Sequence, residues 1–356
     1  MTQRVAPLTA SRPLHSTTPR ERLIDQTGQP SFGRFDLPVN DINFRDFDLR
    51  TPMGTPVPPK KRHGRFNQFQ FVSIQADPLF IGVAIVRLRY ASHAFMYLYD
   101  HASGDWAEHR FTNLWRSGLR FGEHPNDDVV SFVKGRNRLI IKASQRPGLR
   151  KLRISLADGT RVHATIDENT HYLPLSLCTR TGFNGWTYTQ KSNARVCHGA
   201  VDWNGRTYNL EALHALAGTD WSGGYMRKET SWNWASISAT LSDRRRFGLN
   251  LAAGVNESGF TENTAWLDGV PEELPPVHFQ FDRDNPDSGW DIRSSDDRIR
   301  LHFDPVTHYR DKTNAIVVAS NFRQHLGRFH GEIDLAHETL RIENMWGLAE
   351  DHYARW

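Results

Sequence analysis

The chain has 356 residues, of which 38% are hydrophobic and 11% aromatic, so it can form a substantial core and is not disordered throughout. Its 44 basic and 40 acidic residues leave a net charge of only +4. The basic residues are spread along the chain beside acids, which argues against a nucleic-acid partner. No apolar run reaches the roughly 18 residues of a membrane span, and two cysteines, Cys178 and Cys197, are too few for a disulfide scaffold.

The N-terminal 60 residues are predicted to form an arm or strap that lies over the rest of the chain. Met1–Arg4 is not followed by the apolar core of a secretion signal, and together with the cysteine usage this predicts a cytoplasmic location. A proline-rich stretch at 51–59 leads into the basic run at 60–65. We interpret that run as a solvated lead-in to the first strand, with a localisation signal or a phosphate-binding patch as the alternative.

From Phe66 onward, short segments alternate apolar and polar residues, as half-buried strands do. Clear examples are 152–156, 299–303 and 340–342, whereas 79–90 is almost continuously apolar and predicts a strand covered on both faces. Turn dipeptides typical of hairpins separate such segments. They are Asp158-Gly159, Asn184-Gly185, Asn204-Gly205 and Asp268-Gly269.

One segment, 209–217, has helical spacing. Leu210, Leu213 and Leu216 fall on one helical face, and Gly218 follows as a candidate C-cap. All other segments after residue 66 predict strands, so we expect one or two short helices in the whole chain.

A chain of this length with these segments is predicted to be all-β, with two barrel domains or one very large closed sheet. We place an N-terminal arm at 1–60, the first β domain at 61–195 and the second at 196–356. The sequence does not indicate an oligomeric state.

The stretch 220–269 is densest in residues that could bind a ligand. In one predicted strand, Trp232 and Trp234 share a face and Asn233 lies on the other. In the next strand, Asn250 lies among small residues, opposite the face of Phe247. A buried amide needs hydrogen-bond partners. Either the two asparagines bond to each other or to backbone, or their face lines a cavity and orients a ligand.

Asp220 is the candidate acid of this stretch. It precedes Trp221 and a Ser-Gly-Gly turn, and a carboxyl against an indole in an apolar pocket has a raised pKa and can donate a proton. The alternative is an ordinary turn aspartate or an ion-pair partner of Arg227. Three further acids are candidates as well, although each of them also fits a surface or ion-pair position. They are Glu229, Glu257 and Glu262.

Sequence motifs of other functional classes are missing. There is no G-x-S-x-G, no G-x-x-x-x-G-K-[ST], and no G-x-G-x-x-G after a strand, so serine hydrolase, P-loop and dinucleotide sites are not predicted. The 17 histidines include no H-E-x-x-H, and the adjacent Cys197 and His198 would point to opposite faces of a strand. We therefore predict no metal site and no cofactor, and leave open a site built from dispersed histidines.

Several long motifs occur together in one order along nearly the whole chain. They include 230–235, 246–254 and 261–264, with 23–28 and 198–205 upstream and 292–298, 303–306, 327–329 and 347–350 downstream. In this combination the sequence resembles the family called domain of unknown function 2804. That family is distantly similar to lipocalin-like proteins that include carotenoid 1,2-hydratase, so the resemblance implies two β-barrel-like domains. In that hydratase an aspartate protonates a carbon–carbon double bond in an aromatic-lined cavity, and the segments 220–221 and 232–234 resemble those parts.

We predict that the chain binds a hydrophobic small molecule, such as an isoprenoid or an acyl lipid, in a β-barrel cavity. Asp220 is the predicted proton donor, and the asparagine face, rather than the tryptophan face, is predicted to line the pocket. Two alternatives stay open: a cofactor-free hydratase, isomerase or cyclase that uses Asp220, and a structural module whose barrels are filled by side chains. The predicted ligand-binding residues are Trp221, Arg227, Asn233, Asn250, Glu262 and Asn263.

Overall fold

The computed structural model describes residues 19–169, 171–255, 259–314 and 319–355. The first fourteen strands are β1 (Gly33–Arg34), β2 (Asn67–Gln75), β3 (Leu79–Arg87), β4 (Ala91–Asp100), β5 (Asp105–Leu114), β6 (Leu119–Arg120), β7 (Val129–Lys134), β8 (Asn137–Ser144), β9 (Leu149–Ser155), β10 (Arg161–Asp167), β11 (Leu175–Thr181), β12 (Gly185–Trp203), β13 (Arg206–Asn209) and β14 (Leu216–Gly224). The other nine are β15 (Glu229–Thr240), β16 (Arg246–Ala253), β17 (Thr264–Leu267), β18 (Val270–Glu273), β19 (Val277–Phe281), β20 (Trp290–Ser294), β21 (Ile299–Asn314), β22 (Ala319–Asp334) and β23 (Thr339–Arg355). A 3-10 helix at Phe44–Asp46 and one α-helix, α1 at Pro59–Arg65, complete the described elements.

These strands form two curled half-barrel sheets, which confirms the predicted all-β class. The first sheet has 14 strands, in the order β5-β4-β3-β2-β14-β12-β10-β9-β8-β7-β6, with β1, β11 and β13 attached beside this path. The second has nine, in the order β18-β17-β16-β15-β23-β22-β21-β20-β19. All four predicted hairpin turns join antiparallel neighbours. Among the described residues, no helix is long and apolar enough to cross a membrane.

The hydrogen-bond ladders divide the chain between Gly224 and Glu229. Position 195/196, where the sequence placed the domain boundary, lies inside β12, and both sides of it pair with β14. We therefore propose that the two units meet at 225–228, because the ladder of the first sheet continues as far as Gly224.

The helix predicted at 209–217 is wrong. Strand β13 ends at Asn209, Leu216 already begins β14, and a tight turn joins the two strands. In this turn the backbone N–H of Leu213 donates to the carbonyl of Asn209, and that of Ala215 to the carbonyl of Leu210. Both flanking strands pair with β12. Sheet pairing therefore overrides the helical spacing of the leucines.

Each sheet fills its inner face with its own apolar side chains. Val83 and Met96 belong to the core of the first sheet, and Ile292 and Phe303 to the core of the second. Strand β3 is buried on both faces, as predicted, because its other face meets the second sheet through Ala84.

The described part of the N-terminal segment packs on the first sheet through a third apolar cluster. Leu23, Phe44 and Phe66 are fully buried, and Phe44 stacks on Phe66 with ring centroids 3.9 Å apart. The cluster includes Trp186 and Trp221 of the sheet. Residues 1–18 of the predicted arm lie outside the described residues.

Candidate functional site

The outer faces of the two sheets meet in a contact that is mainly aromatic. On the first sheet Phe71, Ala84 and Phe95 lie directly opposite one another on β2, β3 and β4. Phe95 stacks on Tyr309 of the second sheet at 4.7 Å between ring centroids, and Phe71 meets Trp234 edge to face at 5.8 Å. Aromatic pairs in these geometries stabilise a contact beyond the area they bury. Any polar group at this contact is therefore removed from water.

A β-bulge in β12 forms hydrogen bonds to the second sheet. The register of β12 with β14 shifts beside Asn193 and Ala194, and Ala194 has a φ of 56°. Asn193 Nδ2 donates to the carbonyl of Leu249 at 2.5 Å, and Ser236 Oγ donates to Asn193 Oδ1 at 3.2 Å. A bulge bends its strand and redirects side chains. Here it brings the strand that carries Lys191 against β15 and β16.

Lys191 lies at the centre of the polar cluster in this contact. Its Nζ is 3.1 Å from Asp220 Oδ2 and 2.6 Å from Glu262 Oε2. Asp220 lies directly opposite Lys191 on β14, whereas Glu262 lies just before β17 of the second sheet. The same Nζ is 5.3 Å from the ring centroid of Trp234. One buried ammonium thus bridges carboxylates from both sheets.

Burial and charge act in opposite directions on these groups. Burial lowers the pKa of Lys191, but the carboxylates of Asp220 and Glu262 outweigh it and hold that pKa above its ordinary value. Burial also raises the pKa of Asp220, although Lys191 and a hydrogen bond from Ser222 Oγ at 2.8 Å oppose this. Two carboxyls for one ammonium leave the cluster with an excess of acid.

A third buried carboxyl, Glu350 on β23, belongs to the same cluster. Trp232 Nε1 donates to its Oε1 at 2.8 Å, and Gln324 Nε2 donates to its Oε2 at 2.7 Å. Tyr97 of the first sheet donates its hydroxyl proton to Gln324 Oε1 at 2.5 Å. Burial raises the pKa of Glu350 to about 7, with the bonds from Trp232 and Gln324 opposing it. Because both donors are neutral, Glu350 can give or take a proton near neutral pH.

The cluster is closed in this conformation. The space between Lys191, Asp220, Trp234 and their neighbours is too narrow for a water molecule. Gly218 allows this close approach, since a Cβ there would lie 2.4 Å from Asn193 Oδ1. Side chains must therefore move before a ligand can enter.

Three of the predicted site residues meet here: Asp220, Asn250 and Glu262. Asn250 is fully buried, and its Oδ1 accepts a hydrogen bond from Trp234 Nε1 at 2.7 Å. Its Nδ2 donates to the carbonyl of Glu262 at 2.8 Å. The amide therefore holds the indole and the backbone of the acid in fixed positions.

The predicted face shared by both asparagines does not exist. Ser236 lies directly opposite Asn250, and Trp234 opposite Ala252, so Asn250 lies on the tryptophan face that meets the first sheet. Asn233 points to the other face, where its Nδ2 donates to Asp351 Oδ1 at 3.1 Å. The hypothesis that the two amides bond to each other is wrong for the same reason. Directly opposed residues share a face, and the pairing register cannot be known from either strand alone.

Trp221 and Arg227 lie apart from the cluster. Trp221 follows Asp220 on β14 and so points to the opposite face, where its ring lies 6.0 Å from that of Tyr188. Arg227 lies in the connection between the sheets, and its carbonyl accepts a hydrogen bond from Thr230 Oγ1 at 3.3 Å. Their part in ligand binding stays a prediction.

Asn263 follows Glu262 in the sequence, but its side chain forms hydrogen bonds to the backbone. Its Oδ1 accepts from the N–H of Ala252 at 2.7 Å, and its Nδ2 donates to the carbonyl of Pro275 at 2.8 Å. Glu229 begins β15 as an exposed residue. Glu257 lies outside the described residues.

Sequence patterns did not indicate three members of the cluster: Lys191, Gln324 and Glu350. Each lies beside other polar residues in a long strand, a position that fits a solvated face equally well. The available sign for Glu350 was its place directly after the small and apolar run 347–349, which is typical of a buried strand.

The fold and the site together define a protein of two lipocalin-like half-barrels with buried ionisable groups where they meet. The chain belongs to the family described as a domain of unknown function, DUF2804, whose model matches residues 15–356. The resemblance drawn from the sequence motifs is thereby confirmed. No curated protein matches the chain in sequence.

Several solved structures are similar to the chain. CghA is 11% identical, with 93% of this chain and 96% of that chain covered and a TM-score of 0.50. Kievitone hydratase from Nectria haematococca is 10% identical over 82% of this chain and 88% of its own, with a TM-score of 0.49. A putative AttH from Nitrosomonas europaea is 12% identical over 82% and 92%, with a TM-score of 0.45. At these identities the likeness shows the fold alone.

Proposed function

We propose that the protein binds a small, largely apolar molecule between its two sheets and transfers a proton to it without a cofactor. The observation that supports this is a buried cluster of three carboxyls and one ammonium within an aromatic contact. Such a cluster is a poor way to gain stability, because apolar residues of similar volume often serve as well or better. Strongly perturbed carboxyls in a contact of this kind are typical of proton-transfer sites.

Glu350 and Asp220 are the proposed acid and base. With a pKa of about 7, Glu350 can protonate one carbon of an alkene, and the rings of Trp234 and Tyr97 would stabilise the positive charge on the other carbon. In a hydration, water then adds to that carbon and gives its proton to the carboxylate of Asp220. In an isomerisation or cyclisation, a neighbouring carbon loses its proton to Asp220 instead. Asp220 then releases the proton it accepted to solvent, and Glu350 takes one up from solvent, so both carboxyls return to their starting states.

The test compares what different variants retain when they are purified from the same host. Organic extracts of wild type, Asp220→Asn and Glu350→Gln are compared by untargeted mass spectrometry. We expect both variants to retain one apolar species in stoichiometric amount, because they bind the substrate and do not convert it. Wild type should retain less of it, or a product that is heavier by one water molecule or is an isomer.

The matched control is Glu332→Gln, an exposed carboxylate on β22 that pairs with Arg300. Its extract should equal that of wild type. If the same species at the same level were found in all four proteins, the result would support binding and contradict turnover. Clean extracts from all of them would contradict both.

A structural role is the second candidate, and the narrow space at the cluster favours it. In that case Lys191 would link the sheets through Asp220 and Glu262, and no ligand would enter. This candidate predicts clean extracts and a melting temperature that no apolar compound raises. It also predicts that stability is lost when Lys191 is replaced, which the catalytic proposal shares, so the extracts decide between the two.

A further inference from the structure

A second group of ionisable side chains lies on the opposite face of the second sheet. His308 on β21 and His325 on β22 are directly opposite each other, and Asp287 lies in the loop before β20. The ligand atoms of these three residues all lie within 4.8 Å of one another. Gln324, next to His325 in the strand, points the other way toward Glu350. The sheet itself therefore separates this group from the proton-transfer cluster.

The distances in this group match those between ligands of one metal ion. Asp287 Oδ1 lies 3.3 Å from Nδ1 of His325 and 3.5 Å from Nδ1 of His308. In a tetrahedral zinc site with bonds of about 2.0–2.1 Å, neighbouring ligand atoms lie about 3.4 Å apart. A metal ion can therefore contact all three with small adjustments of the exposed Asp287.

His325 provides a second and independent observation. Its side chain is fully buried, and within the described residues neither of its ring nitrogens has a hydrogen-bond partner. Its ring meets that of Trp290 edge to face, with the ring centroids 5.4 Å apart. Buried polar atoms in native proteins nearly always have a hydrogen-bond partner. Where one has none within the protein, a bound ion is one of the explanations. The His325 Nδ1 lies 3.3 Å from Asp287 Oδ1 but does not form a hydrogen bond with it.

We propose that Asp287, His308 and His325 bind a divalent transition-metal ion such as Zn²⁺. Two imidazoles and one carboxylate suit zinc, iron, nickel or copper, whereas magnesium and calcium require mainly oxygen ligands. Three protein ligands leave one position for water, as in catalytic zinc sites. The exposed loop of Asp287 gives the ion a route from solvent.

Arg310 competes with the metal ion for Asp287. Its Nη2 lies 2.9 Å from Asp287 Oδ2, and its side chain is half exposed and free to turn toward solvent. The same Nη2 lies 3.3 Å from Oδ1, the oxygen that faces the two histidines, so its positive charge opposes the binding of a cation there. Removing the guanidinium in Arg310→Gln should therefore tighten metal binding, whereas loss of a purely supporting contact would weaken it.

The direct test is titration calorimetry of the full chain with Zn²⁺, after treatment with a chelator. We expect one equivalent to bind to wild type, and excess Mg²⁺ not to displace it. Asp287→Asn and His325→Gln should each weaken binding at least about tenfold, because outer partners of ligands already contribute that much. Replacement of Zn²⁺ by Co²⁺ should give the visible absorption bands of a four-coordinate site in wild type only.

The control is His302→Gln, which removes one member of the neighbouring cross-strand pair His302 and His330. Both of these rings are exposed, so their loss should leave Zn²⁺ affinity unchanged. Because Asp287 is exposed and lies in a loop, its variant keeps the test valid if His325→Gln does not fold. No binding to wild type would overturn the proposal. Binding that survives Asp287→Asn, or that His302→Gln abolishes, would overturn it as well.

Discussion

The inner faces of the two half-barrels differ sharply from the surface along which the half-barrels meet. The inner faces are filled by aliphatic and aromatic side chains such as Leu139 and Leu301, with little that can ionise. The contact between the sheets contains Lys191, Asp220 and Glu350 among aromatic rings. Both regions are removed from water, but the inner faces hold only scattered ionisable groups such as Asp100, Arg150 and His325. The contact holds one ammonium that bridges carboxylates from both sheets.

This difference indicates where the protein departs from the most stable arrangement. An apolar face gains stability from every buried methylene, whereas a buried ion must be compensated by its partners. The two regions should therefore respond differently to substitution and to pH. Substitutions on the inner faces should lower the free energy of unfolding in proportion to the side-chain volume removed. Substitutions at the contact should lower it in proportion to the charge left unpaired.

The largest expected effect is that of Lys191→Met. It leaves Asp220 and Glu262 buried without their ammonium, and breaking a buried pair in this way costs about 3–5 kcal/mol. Chemical denaturation at pH 7 measures the free energy of unfolding. Lys142→Met, at an exposed position on β8, is the control and should change it by less than about 0.5 kcal/mol. Equal effects of the two substitutions would show that the ion pairs of Lys191 contribute nothing to the free energy of unfolding.

Leu301→Ala tests the inner face of the second sheet. Leu301 is 2% exposed, and a buried leucine replaced by alanine costs about 2–5 kcal/mol through lost transfer energy and a cavity. Because no ionisable group contributes to this cost, it should be the same at pH 5 and pH 8. A cost that changed with pH would contradict the contrast between the two regions.

Glu350→Gln should change the pH dependence of stability. The pKa of Glu350 is about 7 in the folded chain and about 4.5 when unfolded, so its contribution is fully present below pH 4.5 and is lost as pH rises through 7. The difference corresponds to at most about 3 kcal/mol. The variant should therefore match wild type at pH 4 and be the more stable of the two at pH 8, because the Gln324 amide can turn and hydrogen-bond to the new amide.

Unfolding curves at several pH values measure this effect. The control is again Glu332→Gln, for which we expect parallel curves to those of wild type. A Glu350→Gln protein that is less stable than wild type at pH 8 would show that the carboxyl is ionised and well paired, and would remove it as the proposed acid.

Trp234→Phe should have the smallest effect of the four. It keeps the aromatic contact with Phe71 but removes the Nε1–H that donates to Asn250 Oδ1. A buried acceptor without its donor costs about 1–3 kcal/mol, and we expect a value near the lower end because Asn250 keeps its bond to Glu262. The double variant with Asn250→Leu should recover part of the loss. Additive losses would indicate that the two side chains act independently.

The strands and hairpins could be predicted from the sequence because their determinants are local. Alternation of apolar residues predicted 152–156 and 299–303 as strands, and turn dipeptides such as Asn184-Gly185 predicted the hairpins between them. The helix at 209–217 was predicted by the same kind of local pattern and was wrong. There, pairing with β12 outweighed the spacing of the leucines.

The proton-transfer cluster could be predicted only in part. Asp220, Asn250 and Glu262 were among the predicted site residues, and the structure brings them together. Lys191 and Glu350 were not, because a charged residue beside other polar residues in a strand is typical of a solvated face. What removes them from water is the second sheet, and no local pattern contains that information.

The sequence by itself determined the all-β class, the strands, the hairpins and the family, since each depends on neighbouring residues or on whole motifs. Only the tertiary structure decided which face of each strand meets the other sheet. A change of one residue in register moves every side chain to the opposite face, which is why Asn233 and Asn250 point in opposite directions. The bulge beside Asn193 and the packing of the sheets then brought an ammonium and three carboxyls, from four distant parts of the chain, into one dry contact.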